Sequence, residues 1–193
     1  MAKKGKFYRK YLNGAFDPSK IAPIQNDGWI KPTGGCWASP VEAEYSWEWW
    51  ASSEMPHWLE QDVVDFKLKE SAKVYELHSI ADFLAMPMAD EEALIPDFEA
   101  LEALGYDALE LFLSDEPRWD VSLEKRETLY VALYGWDCDS IIIFNGDAID
   151  MESVTVGETP AEIKERMARS KSHMEEIGLS YYDDEEEDCA EVI

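Results

Sequence analysis

The chain reads as an α+β protein. Its strand-like segments cluster along the sequence and its helix-like segments are inserted singly between them, an order that fits α+β better than a doubly wound α/β sheet. Ser140–Phe144, Ser-Ile-Ile-Ile-Phe, is the strongest strand signal, a continuous apolar run of the kind buried on both faces of a sheet.

Taken in order, Lys6–Tyr11 is a strand, with Phe7, Arg9 and Tyr11 on one face and Tyr8 and Lys10 on the other. Residues 13–26 contain Gly14, two Pro and several polar residues, and read as loop. Gly35–Ala38 is a short strand leading into a helix start. Ser39 is placed as N-cap, Pro40 as the first helical residue, and Glu42 completes a Ser-x-x-Glu capping box, with the helix running to about residue 54. Val63–Leu68 and Lys73–Leu77 alternate well enough to be strands. Ser79, with Asp82 three positions on, caps a short helix to about Met86. Asp90–Pro96 is a connector, and Pro96 starts a helix to about Leu104 that Gly105 stops. Tyr106–Leu113 is a strand, Ser122–Tyr134 a helix closed by Gly135, and Asn145-Gly146-Asp147 a turn after the buried strand. Thr159-Pro160-Ala161-Glu162 is a second capping box, opening a helix to Ile177.

Size and charge set the bounds. The 193 residues suffice for one α+β domain over 1–178 without staples, followed by an acidic tail over 179–193 expected to be disordered. Net charge is −25, and the tail run Asp183–Asp188 is not its main source. Residues 40–120 hold 21 Asp and Glu against four Lys and Arg, a net of −17, so the acidity runs through the folded body. Such a body repels nucleic acid and anionic membrane, which sets aside direct nucleic-acid binding. No stretch approaches the roughly 20 apolar residues of a membrane span. Three Cys with no Cys-x-x-Cys argue against a disulfide framework or zinc site and fit a reducing cytoplasm.

Four of the eight Trp lie close together at Trp37, Trp47, Trp49 and Trp50, beside the strand that delivers Ser39. Large aromatics there wall a slot for a flat ring, or simply fill core. The Glu42, Glu44, Glu48 and Glu54 run reads as a solvated helix face. His57, His78 and His173 are isolated, and Cys138 lies between two Asp residues whose charge would raise its pKa and weaken it as a nucleophile.

Three segments carry a resemblance. Phe7-Tyr8-Arg9 places an Arg on the first strand. Gly34-Gly35-Cys36-Trp37-Ala38-Ser39-Pro40 leads a second strand into an aromatic-rich helix. Gly105-Tyr106-Asp107-Ala108-Leu109 and then Trp136-Asp137-Cys138-Asp139-Ser140-Ile141-Ile142-Ile143-Phe144-Asn145 form a late strand pair. In this order they resemble the ADP-ribosyltransferase-like fold, particularly its small phage and bacterial members, over roughly residues 6–150.

The resemblance implies a mixed or antiparallel β core with inserted helices and an NAD-dependent transfer of ADP-ribose to a protein target, a host or defence protein if the chain is a phage effector. It assigns Arg9 to the nicotinamide end of NAD, Ser39 to the second-strand Ser or Thr, and Tyr45 or Trp47 to the stacking aromatic. Asp137 or Asp139 takes the place of the late acidic residue, which in the family is usually Glu. A positioned carboxylate suits cleavage of the nicotinamide–ribose bond, whose transition state develops positive charge. The charge supports a second expectation of another class: a non-enzymatic acidic inhibitor that mimics DNA and binds a basic nucleic-acid enzyme.

Overall fold

The computed structural model describes residues 5–26, 31–113 and 135–176 of the chain. Two units are distinguished, Met1–Gly157 and Glu158–Ile193. In the first, the described residues form a seven-stranded sheet from β1 (Tyr8–Tyr11), β2 (Cys36–Pro40), β3 (Val63–Leu68), β4 (Val74–Leu77), β7 (Ala108–Leu111), β8 (Ser140–Ile143) and β9 (Ile149–Val156), in the order β4-β7-β8-β2-β1-β3-β9. Only β4 and β7 run parallel; every other neighbouring pair is antiparallel. The fold is α+β with a mostly antiparallel sheet. No described helix is long and apolar enough to cross a membrane.

The pleat sorts the apolar run of β8 onto two faces. Ile142, opposite Trp37 and Leu109, joins a core with Leu77, Phe83, Phe98, Leu101 and Trp136. Phe83 belongs to α2 (Ile80–Leu84), and Phe98 and Leu101 to α3 (Phe98–Ala103), so this face is the one the helices cover. Ile141 and Ile143 point the other way, into a cluster with Tyr8, Cys36, Ala38, Phe66 and Ala108. The burial of β8 on both faces follows from having a core on each side.

Where local signals are strong, the elements fall where the sequence puts them. Ser79 Oγ accepts from the Asp82 backbone N–H (3.3 Å) while the Asp82 carboxylate accepts from the His78 N–H (3.1 Å), closing α2's entrance. Gly105, at φ +82°, follows α3 in the left-handed conformation that a side chain would resist. In the second unit, α4 (Pro160–Glu176) opens with the expected box: Glu162 Oε2 accepts from the Thr159 N–H (2.8 Å) and Thr159 Oγ1 from the Glu162 N–H (3.3 Å).

Elsewhere tertiary pairing wins. Ser39 and Pro40 do not start a helix. They remain in β2, opposite Arg9 and Tyr8, and α1 (Trp47–Glu54) begins seven residues after Pro40 with Ser46 as N-cap. The connector expected at Asp90–Pro96 is part of a small antiparallel ribbon, β5 (Met88–Asp90) with β6 (Ile95–Pro96). β9, with its run of Asp150, Met151 and Glu152, lacks clean alternation but pairs with β3. The helix expected over Ser122–Tyr134 and the tail over 179–193 lie outside the described residues.

Glu110 sits in β7 at 2 % exposure, between Lys6, which forms an ion pair with it, and the Tyr8 hydroxyl, which donates to it at 3.0 Å. Burial raises its carboxyl above the ordinary range, over the opposing pull of Lys6 and the Tyr8 hydrogen bond. A carboxyl with a raised folded-state pKa lends stability that is complete below its unfolded pKa and lost as pH rises through the folded one. Glu110→Gln, which keeps an acceptor for Tyr8, is expected to flatten the decline of the urea midpoint as pH rises above about 4.5, relative to the parent protein. An unchanged slope would show that Glu110 is charged throughout that range.

Candidate functional site

The site begins with a fork in the sheet. β1 and β2 pair only at Tyr8–Pro40 and Arg9–Ser39. Beyond that point Lys10 and Tyr11 stay with β3, opposite Val64 and Val63, while Trp37 and Ala38 stay with β8, opposite Ile142 and Ile141. Lys10 Nζ donates to the Trp37 carbonyl across the gap, at 3.3 Å. The parted strands open onto a cavity of about 410 Å³, within the usual size of small-molecule sites.

Arg9 and Ser39 stand side by side at the base of the fork, as cross-strand partners on one face. Arg9 is 5 % exposed. Its Nε and Nη2 donate to the two oxygens of Asp65, each at 2.7 Å, and its Nη1 donates to Glu48 Oε1 at 2.6 Å. Tyr11 Oη donates to the same Glu48 oxygen at 3.0 Å. Glu48, expected on a solvated face, is therefore a buried ion-pair partner, whereas Glu42, Glu44 and Glu54 are exposed. Its position in the first turn of α1 also places its charge at the helix end that favours anions.

Ser39 is committed in both senses of hydrogen bonding. Its Oγ donates to the Asp139 carbonyl at 2.7 Å and accepts from the Trp47 N–H at 3.0 Å. The residue expected to cap the helix from the preceding position thus reaches the helix entrance from a strand, eight residues upstream. That contact ties together β2, the segment before β8, and α1.

One wall of the cavity is aromatic. Trp47 on α1 and Trp58 on the 3-10 turn Pro56–Glu60 stack with centroids 5.1 Å apart and planes 15° apart. Trp37 lines another side, set edge-on to Trp136 at 4.8 Å. Three cations, Arg9, Lys10 and Lys31, and one carboxylate, Asp137, complete the charged lining. Lys31 Nζ lies 5.0 Å from the centre of the Trp37 ring. Burial pulls its ammonium below the ordinary lysine range, with Asp137 acting in the opposite direction.

Of the six residues singled out from sequence, Arg9, Ser39, Trp47 and Asp137 line this cavity. Tyr45 and Asp139 do not. Tyr45 is 41 % exposed and rests on Trp49 at 4.7 Å, and Asp139 is buried, its backbone N–H donating to the Tyr45 carbonyl at 2.8 Å. Cys138 also lines the cavity, but burial first and the neighbouring carboxylates second push its thiol up to about 11, against the pull of Ser140 and Lys31. At neutral pH it is an un-ionised, weakly nucleophilic thiol. Among the described residues no three His, Cys, Asp or Glu are arranged to hold a metal ion. Lys31 and Trp58 were not singled out from sequence. Neither lies in a periodic segment, and only the fold brings them beside Trp37 and Trp47.

Comparison with protein-family models, curated proteins and solved structures finds no match to this chain.

Removing the Arg9 cation leaves two acidic side chains facing one another in the interior. Arg9→Met is expected to cost about 3–5 kcal/mol in urea denaturation, the usual penalty for breaking a buried charge cluster from one side. Adding Glu48→Gln should recover part of the loss. A single variant as stable as the parent would mean the cluster is well solvated.

Proposed function

We propose that this chain is an NAD-dependent ADP-ribosyltransferase of the family it resembles, acting on a protein target from the cavity in the sheet fork. The observation that carries the reading is the convergence of Arg9, Ser39, Trp47 and Asp137, residues from three separate segments, on one open cavity. An acidic decoy requires only an extended carboxylate surface and has no need of such a pocket. The cavity's chemistry suits the substrate: aromatic faces for the nicotinamide ring, ammonium groups for phosphate, and one carboxylate.

In this reading the stacked Trp47 and Trp58 offer a face to the nicotinamide ring. The bond between the ring nitrogen and ribose C1′ breaks, and neutral nicotinamide leaves with the electron pair. A nucleophilic atom of the target then forms the new bond to C1′ and gives up its proton. Asp137, rather than the enclosed Asp139, is the carboxylate placed to stabilise the positive charge that develops on the ribose and to receive that proton. Ser39 and Arg9 line the cavity and act there by positioning. Their hydrogen bonds hold β1, β2 and α1 in the geometry that opens the fork.

Calorimetry of the purified protein with NAD should detect binding, and Trp47→Ala should weaken it. Asp137→Asn should leave NAD affinity within a few-fold while slowing nicotinamide release by about 10²–10⁴-fold. No heat of binding at millimolar NAD would remove the enzymatic reading and leave the acidic inhibitor.

A further inference from the structure

The family resemblance assigns Arg9 to the nicotinamide end of NAD and names no residue for the anionic end, which Arg9 is poorly suited to hold. All three of its nitrogens already donate to Asp65 or Glu48, so the cluster of one cation and two carboxylates carries a net negative charge. Two other cations line the same cavity. Lys10 Nζ donates to the neutral Trp37 carbonyl at 3.3 Å, and Lys31 Nζ rests near the Trp37 ring at 5.0 Å. Among the described residues neither is within ion-pair distance of a carboxylate. In a chain of net charge −25 that is a notable placement, because acidic groups outnumber basic ones 42 to 17.

We propose that Lys10, at the Trp37 carbonyl, and Lys31, near the Trp37 ring, form the phosphate-holding end of the cavity. For the ring end of the ligand this rests on the reading given above; the phosphate end stands on the two lysines alone. Lys10 is held at the fork because β1 and β2 have already parted, so its side chain spans the gap instead of lying over a continuous ladder. The Lys31 side chain passes beside Gly135, where even a Cβ in place of the glycine hydrogen would lie at ordinary contact distance, 3.5–3.7 Å, from its Cδ, Cε and Nζ atoms. Its ammonium is partly desolvated and held below its ordinary pKa, a penalty that a bound anion offsets. Asp137 shares the cavity and opposes a phosphate placed close to it. The ligand is therefore expected to lie with its phosphates at Trp37 and its scissile bond toward Asp137.

The test is calorimetric titration of NAD, inorganic pyrophosphate and nicotinamide into the full chain, at low and at raised salt. Lys10→Gln and Lys31→Gln should each weaken NAD and pyrophosphate by about tenfold or more, the loss of one charge-assisted contact, and leave nicotinamide within about twofold. Lys→Arg at either position should restore most of the affinity, and Lys20→Gln, at an exposed residue away from the cavity, should change nothing. Raised salt should weaken NAD and pyrophosphate binding to the parent protein and spare nicotinamide, a readout that needs no variant. If NAD binds both Gln variants as tightly as the parent, or if its binding to the parent ignores salt, the lysine assignment falls while the enzymatic reading stands. If pyrophosphate binds in a lysine-dependent manner but NAD does not bind, the phosphate site stands and the NAD reading falls. If the parent protein binds neither, both fall.

Discussion

The Arg9 guanidinium, sealed between Asp65 and Glu48, is the interaction on which the rest of the first unit depends. It joins β1 to β3 by a bidentate pair and to α1 by a charged hydrogen bond to Glu48. Each of these groups is costly to bury alone; together they satisfy one another, and among the described residues no buried side-chain nitrogen or oxygen lacks a partner. Because Ser39 stands directly opposite Arg9, the same rung of the ladder anchors β2, the Asp139 backbone and the first residue of α1. The fork, and hence the cavity, opens just past that rung.

A strongly acidic chain must place its few cations with care. Lys6 meets buried Glu110 and Arg9 meets buried Glu48, so these two cations neutralise charge that the interior could not otherwise hold. Lys10 and Lys31 are left facing the cavity. The surface repels polyanions at long range, whereas the cavity presents positive charge at short range. A small anionic ligand can feel that local field within a screening length of about 8–10 Å, while a nucleic acid lying across the whole surface cannot. The two sides of the charge distribution thus favour a small ligand over a polymer.

The aromatic side of the site follows similar logic. Trp47 is fixed at its backbone by Ser39 and at its ring by Trp50 and Trp58, at 4.9 and 5.1 Å. A ring held by its neighbours loses little freedom when another flat ring is laid against it, so more of the contact energy goes to binding.

Much of the secondary structure was legible locally. Val63–Leu68 and the Ser140 run are strands because their apolar patterns match a pleat, and the Ser79 and Thr159 boxes act within four residues of chain. Arg9, Ser39, Trp47 and Asp137 were also visible as candidates, since their residue types and order were informative before any contact was known. The same Ser-x-x-Glu pattern at Ser39 failed, because ladder pairing with Arg9 holds Ser39 and Pro40 extended and a more distant N–H claims the hydroxyl. Burial of Glu48 and Glu110, the parting of β1 from β2, the choice of Asp137 over Asp139 for the cavity, and the placing of Lys10 and Lys31 in the same cavity, each against Trp37, all belong to tertiary structure. Short-range hydrogen bonding and apolar periodicity encode the local elements. Only the fold decided which charges meet, because those encounters join residues tens of positions apart and depend on how the strands pair.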